Sequence, residues 1–298
     1  MKRRALLASG LMAALAPSAA AAAAAPKRLE SAELSLIELS LPGDVAFGRA
    51  LLAVPRELPK EPGLLVLLHG LGETNDQDVG ARAFAERYGL LSAVARLTHP
   101  PLVRTEPRQD FFGEGRLAEH NARLAQHPYR APVIVCPFTP NPYKAGGNEV
   151  LTRFMRFVNV ELRAAIEHQV GASFPASRSM ISGVSMGGFL AIEIFLQRPE
   201  LFCGLGAVQA AFGPNQALRY AAGVSKASER LGRRRVEILT SSLDPYRRSN
   251  ELFHRHLAER KQATRLRVLP GPHDQRWLKE SGVIEMLLAA DDVLTERK

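Results

Sequence analysis

Short, uninterrupted apolar runs alternate along this chain with longer stretches in which apolar residues recur every third or fourth position. The runs are "ELSLIELSL" (Glu33 to Leu41), "RALLAVP" (Arg49 to Pro55), "GLLVLLHG" (Gly63 to Gly70), "APVIVCP" (Ala131 to Pro137), "SMISGVS" (Ser179 to Ser185), "GLGAVQAA" (Gly204 to Ala211), "VEILTSS" (Val236 to Ser242) and "RLRVLPG" (Arg265 to Gly271). Each is strand-length, and four of the eight end at Gly or Pro. The first two read as strands joined by a turn around Pro42 and Gly43. Continuous rather than alternating hydrophobicity is what a parallel sheet covered on both faces requires.

The intervening stretches carry helical periodicity. In "VLTRFMRFVNVELRAAIEHQ", Val150, Phe154, Val158, Leu162 and Ile166 are four apart and form one apolar stripe. "MGGFLAIEIFLQRPE" ends at Pro199, which cannot continue a helix. "SNELFHRHLAERKQ" offers Ser249 or Asn250 as a cap, with Leu252, Phe253 and Leu257 on one side. Strands alternating with helices predict a doubly wound α/β fold in one domain over 26–298. One segment exceeds what a crossover needs: between the third and fourth runs, Leu71 to Arg130 holds two helical patterns, "VGARAFAERYGLLSAVARL" and "GRLAEHNARLAQH". The Pro-rich loop between them carries Phe111 and Phe112. This insertion is either a cap or lid over a site or a surface excursion packed by those phenylalanines.

The first 25 residues break the pattern. Lys2, Arg3 and Arg4 precede an apolar run from Ala5 to Ala16 and an alanine-rich tract, which is the layout of a removable export signal. The run is too short to span a bilayer, so export is expected rather than a stable membrane anchor. "KRRALL" resembles a twin-arginine signal, with the general secretory route as the alternative. No cysteine follows the run, which argues against a lipoprotein. The expected location is therefore periplasmic or secreted.

Composition adds little beyond this. The 298 residues suffice for a sizeable core, and the formal charge of +9 includes three from Lys2, Arg3 and Arg4. Arg233, Arg234 and Arg235 cluster before a strand without interleaved aromatics, so a solvated loop is expected and nucleic-acid binding is not. Cys136 and Cys203 fall on strands that are not neighbours, which predicts two buried free thiols. His254 and His256 are two apart on a helix and face different ways, unsuited to a shared metal. Asp76 and Asp78 read as a polar loop at the mouth of a pocket that Tyr143 helps to line.

The candidate chemistry lies in "ISGVSMGGFLA", Ile181 to Ala191. Ser185 sits where a buried strand meets a helix, with Gly183 two before it and Gly187 two after. A serine hydroxyl attacks only when it is held exposed beside a base, with donors facing the developing oxyanion. A sharp strand-to-helix turn achieves this and crowds the backbone, so the flanking positions must be small. "VEILTSSLDPYR" puts Asp244 just after a later strand, and "RLRVLPGPHDQRW" puts His273 after the next. Asp244 and His273 thus follow Ser185 along the chain, each at the end of a later strand, an order that resembles the one in α/β hydrolases. His273 is the expected base, and Asp244 its orienting acid. Asp274 is a weaker substitute, since adjacent side chains on extended backbone point apart. The expected oxyanion donors are the amides of Met186 and Leu71, with Gly72 as fallback for Leu71. His69 is expected to hydrogen-bond its own loop.

Together "HGLG", "GVSMGG", the aspartate of "SSLDP" and "GPHDQRW" resemble the α/β-hydrolase superfamily over roughly 33–290. They are most similar to the serine-esterase branch that includes S-formylglutathione hydrolases, feruloyl and acetyl-xylan esterases, and mycolyltransferases. His273 followed by Trp277 is part of that resemblance. It implies an eight-stranded, mostly parallel sheet with helices on both faces and a helical insertion after the third strand. It also implies hydrolysis or transfer of an acyl group from a small-molecule or carbohydrate-linked ester, without metal or organic cofactor. The insertion from 71 to 130 departs from the pattern and leaves the substrate open. An acyltransferase, a serine peptidase and a non-catalytic binding protein on this scaffold remain alternatives.

Overall fold

The computed structural model describes residues 29–42, 44, 46–105, 111–144 and 146–295. The export segment 1–25 and Gly43 of the expected turn lie outside them. All eight apolar runs form strands: β1 (Leu34–Ser40), β2 (Arg49–Pro55), β3 (Leu64–Leu68), β4 (Val133–Pro137), β5 (Ser179–Val184), β6 (Gly204–Val208), β7 (Arg235–Ser241) and β8 (Thr264–Leu269). They build one sheet in the order β1-β2-β4-β3-β5-β6-β7-β8. Pairing is antiparallel for β1 with β2 and β2 with β4, and parallel from β4 through β8.

The reason for the continuous hydrophobicity is visible in β3. Leu64, Val66 and Leu68 enter the core on one face of the sheet, and Leu65 and Leu67 enter the core on the other. The first core is roofed by helices Gly147–Phe157, Arg163–Val170, Met186–Gln197, Ala217–Leu231 and Arg247–Glu259. The second lies under Leu90–Thr98, Glu114–Gln126 and Val283–Leu294. In the striped helix Phe154, Val158, Leu162 and Ile166 are buried, and a π turn over Val158–Leu162 joins its two α-helical parts. Among the described residues no helix is long and apolar enough to cross a membrane.

The insertion after β3 contains the helices Gln77–Ala81, Ala83–Glu86, Leu90–Thr98 and Glu114–Gln126. Phe112 is buried edge-on against His120, and Phe111 packs beside Gly271, whose φ of 122° and lack of a Cβ let the ring approach. Those contacts tie the loop to the body of the fold.

Three expectations need correction. The helix over 249–262 begins earlier, at Arg247, so neither Ser249 nor Asn250 caps it. Asn250 is instead fully buried and grips the loop after β6, donating to Ala210 O at 3.1 Å and accepting from Ala210 N–H at 3.3 Å. Neither Cys136 nor Cys203 is in a disulfide, and Cys203, whose thiol donates to Ser179 O at 3.3 Å, is only half-buried because it precedes β6 at the sheet's end. Finally β8 is an edge strand: its Arg265 and Arg267 face Glu237, Glu285 and Asp292 instead of a purely apolar layer. The basic run before β7 is used internally, with Arg234 donating to Leu231 O and Gly232 O, and Arg235 donating to Asp292 O.

The strand order sets where a site can form. From β3 the chain crosses to β4 on one side, and from β5 it crosses to β6 on the other, so the loops leaving β3 and β5 diverge. Such a divergence opens a crevice at the carboxyl ends of the strands. Leu68 and Gly183 are register partners there, which brings the Gly70 turn beside Ser185.

Candidate active site

Ser185 stands at the tip of the turn from β5 into helix Met186–Gln197, with φ 56° and ψ −119°. That backbone is strained for a residue with a Cβ, and it persists because both sides are held. Ser185 N–H donates to Val208 O at 2.9 Å, and its carbonyl accepts from Ala211 N–H at 2.9 Å and Phe189 N–H at 3.1 Å. The flanking glycines are required by backbone, not by flexibility: a Cβ on Gly183 would lie 2.2 Å from Gly187 O, and one on Gly187 would lie 2.1 Å from Leu68 O.

The residues that the sequence singled out converge on this turn. His273 Nε2 lies 3.0 Å from Ser185 Oγ, and His273 Nδ1 lies 2.8 Å from Asp244 Oδ1. A carboxylate only accepts, so Nδ1 carries the proton and Nε2 is left to accept from the serine hydroxyl. Asp244 is buried and fully engaged: Oδ1 also accepts from Tyr246 N–H at 3.0 Å, and Oδ2 from Thr240 Oγ1 at 2.6 Å. Asp274 has a different task, capping the next short helix by accepting from Trp277 N–H at 2.8 Å.

Met186 and Leu71 are the first residues of their helices, so their amides lack intrahelical acceptors. Neither makes another backbone hydrogen bond among the described residues. A Cβ on Gly70 would sit 3.7 Å from Ser185 Cβ, so the turn bearing Leu71 runs directly beside the nucleophile. The two amides thus border one space next to Ser185 Oγ.

His69 reaches further than its own loop. Its Nδ1–H donates to Gly70 O at 2.8 Å, while Nε2 accepts from Thr139 N–H at 2.8 Å, joining the turns after β3 and β4. Burial lowers its pKa from 6.5 to about 4. Between those values the unfolded chain takes up a proton that the folded chain refuses. Stability is therefore undiminished above pH 6.5 and falls by about 3 kcal/mol in all as the pH drops to 4. Urea unfolding of the protein and of His69→Gln, which keeps one donor and one acceptor, measures this. The gap between their pH dependences from 7.5 to 4 is expected near that value, and a gap below about 1 kcal/mol would refute the clamp.

Several supporting residues carried no sequence signal. The peptides before His273 are each held: Trp277 Nε1 donates to Pro270 O at 3.0 Å, Gly271 N–H to Ser242 Oγ at 3.1 Å, and Gln209 Nε2 and Ser241 Oγ both to Pro272 O at 3.0 Å. Glu73, 2% exposed, binds the Leu71 turn to the histidine loop. Its carboxylate accepts from Tyr88 OH and from Gln275 Nε2 at 2.9 Å, and Tyr88 OH accepts from Gly70 N–H at 3.2 Å. Burial, together with the Glu73 charge, pushes the Tyr88 hydroxyl well above its ordinary pKa, so it stays a donor. Of these, Trp277 belongs to the resemblance read from the sequence, and Gln209 shows there as a lone polar residue within an apolar run.

The other candidates are engaged elsewhere. Asp76 caps Gln77–Ala81 and Asp78 pairs with Arg49 at 2.6 Å. His254 contacts Thr264 and His256 contacts Glu259, on different sides of their helix. Tyr143, 65% exposed, lines a cleft beside the site, as expected.

An eight-stranded sheet of this order, with a serine on the turn after β5, an aspartate after β7 and a histidine after β8, is the α/β-hydrolase fold. No family model matches the sequence, and no curated protein does. The fold is similar to that of solved esterases. One is a ferulic acid esterase (TM-score 0.61, 16% identity, covering 88% of this chain and 99% of that one). Others are S-formylglutathione hydrolase from Staphylococcus aureus (0.58, 15%, 86% and 98%) and the feruloyl esterase module from Clostridium thermocellum complexed with sinapinate (0.57, 14%, 87% and 89%).

Proposed function

We propose that this protein is a serine hydrolase that cleaves carboxylic esters through an acyl-enzyme on Ser185. The observation that carries the reading is the hydrogen-bonded series Ser185, His273, Asp244, with spacings of 3.0 and 2.8 Å. The esterases among the solved structures of this fold support esters over peptides as substrates.

The steps follow from the geometry. His273 Nε2 accepts the hydroxyl proton as Ser185 Oγ bonds to the ester carbonyl carbon, and Asp244 stabilises the imidazolium. The negative charge that develops on the carbonyl oxygen is met by the N–H groups of Met186 and Leu71. Collapse breaks the bond to the alcohol oxygen, which takes the proton from His273. Water then repeats the sequence on the acyl-enzyme, losing a proton to His273 and releasing the acid and Ser185.

The mature protein acts in the periplasm or outside the cell in this reading, after removal of residues 1–25. The basic start and short apolar run support that location. N-terminal sequencing of protein recovered from outside the cytoplasm tests it, with a start near residue 26 expected.

Active-site labelling with a fluorophosphonate, mapped by peptide mass spectrometry, tests the nucleophile. One stoichiometric adduct on Ser185 is expected, abolished by His273→Ala. Folded protein that takes no label would overturn the assignment and favour a binding protein on a hydrolase scaffold.

A further inference from the structure

A cleft of about 460 Å³ lies between the loop after β6 and the start of helix Arg247–Glu259. Its walls are direct neighbours of the site. Ala211, on one side, donates its N–H to Ser185 O at 2.9 Å. Tyr246, on the other, stacks edge-on to the His273 ring with centroids 5.6 Å apart, and its N–H is bonded to Asp244. The volume falls within the range of small-molecule sites.

The lining is uneven in charge. Pro214, Pro245, Tyr143 and Tyr246 supply apolar and aromatic surface, and among the described residues no carboxylate lines the cleft. Arg248 is the one charged lining residue. Neighbouring arginines are paired, Arg247 with Glu251 and Arg219 with Glu193, each at 2.7 Å. Arg248 has no ion pair or hydrogen bond to a side chain or carbonyl among the described residues. A guanidinium without a counter-charge at a cleft of mixed aromatic and polar lining favours a planar anion, which it can bind through two parallel N–H donors.

We propose that this cleft is a substrate subsite and that the preferred esters carry a second, free carboxylate, bound by Arg248. The inference rests on the hydrolase reading above and deepens it. Arg248 acts here as a specificity residue, since it contacts a remote group of the substrate and not the reacting atoms. Arg248 is exposed to solvent, which screens the pairing, so an effect of about tenfold is expected rather than hundredfold.

The test compares methyl esters of succinic, glutaric and adipic acids, each with the far end as free carboxylate and as the matching neutral carboxamide, at pH 7.5. For at least one chain length the carboxylate is expected to be favoured about tenfold in kcat/KM, chiefly through a lower KM. Arg248→Gln should bring that ratio to about one, Arg248→Glu should invert it, and Arg248→Lys should retain part of it. The ratio is internal to each variant, so a partly unfolded preparation does not alter it. A ratio near one in the unmodified protein at all three lengths, or one that survives Arg248→Gln, overturns the subsite. If neither series is hydrolysed and fluorophosphonate leaves Ser185 unlabelled, the hydrolase reading falls first and the subsite with it.

Discussion

Ser185→Ala lowers kcat for ester hydrolysis by about four to six orders of magnitude, and the double variant Ser185→Ala, His273→Ala loses scarcely more than either single one. The reason is the shared pathway: His273 has no proton to accept without the serine hydroxyl, and the hydroxyl is inert without His273 Nε2 at 3.0 Å. Asp244→Asn should cost about 10⁴ in kcat. An amide can donate to His273 Nδ1 and so select the tautomer that puts the proton on Nε2, where it no longer accepts. The rest of the fold is untouched by Ser185→Ala, because among the described residues Oγ bonds only to His273 and the strained backbone is fixed by Val208, Phe189 and Ala211. Initial rates on a chromogenic acetate ester, with thermal unfolding alongside, give the result. Additive losses in the double variant, or more than about one per cent activity in Ser185→Ala, would mean another nucleophile does the work.

Glu285→Ala is expected to do the reverse, costing about 3–5 kcal/mol of stability while the folded fraction keeps its turnover. Glu285 is 1% exposed on helix Val283–Leu294. Both its oxygens accept from Arg116 at 2.6 Å, Oε1 accepts also from His120 Nε2 at 2.8 Å, and Arg267 stands 3.5 Å from Oε2. Burial alone would raise the Glu285 carboxyl, but His120 and Arg116 hold it well below the usual carboxylate range. Removing it takes the buried counter-charge from Arg116 and Arg267, which among the described residues keep only Glu119 at 2.6 Å and Glu237 at 4.0 Å, on the face where β8 presents arginine instead of aliphatic side chains. The loss should appear as a fall of about 10 °C in the unfolding midpoint. Glu285→Gln keeps the volume and one acceptor and should cost less. A fall of under about 3 °C for Glu285→Ala would show that solvent already screens the cluster.

These two expectations separate what the molecule needs for chemistry from what it needs to stay folded, and the sequence exposed the two unequally. Ser185, Asp244 and His273 were legible because each follows a strand-like run at a local turn. Their chain order matches a turn whose glycines are demanded by backbone contacts of about 2 Å. All eight strands were legible because a sheet roofed on both faces needs residues such as Leu64 to Leu68 to be apolar without interruption. Helix starts were less so: the buried Asn250 looks like a cap in sequence, yet its amide serves Ala210, far away along the chain.

Residue types and spacing along the chain therefore determined the strands, the winding and the catalytic candidates, since those depend on patterns spanning a few residues. Tertiary structure alone decided which of the chain's charged and polar groups meet. Glu73 reaches Gln275, Gln209 holds Pro272, and Glu285 gathers Arg116, His120 and Arg267, all across large sequence separations. It also made β8 an edge strand and set Arg248, without an ion pair among the described residues, on the cleft that Tyr143 and Tyr246 line. The physical reason is that apolar burial is additive and non-directional, so it can be read from composition along a segment. A buried polar pair exists only where two particular atoms come within about 3 Å, and that distance is set by the whole fold.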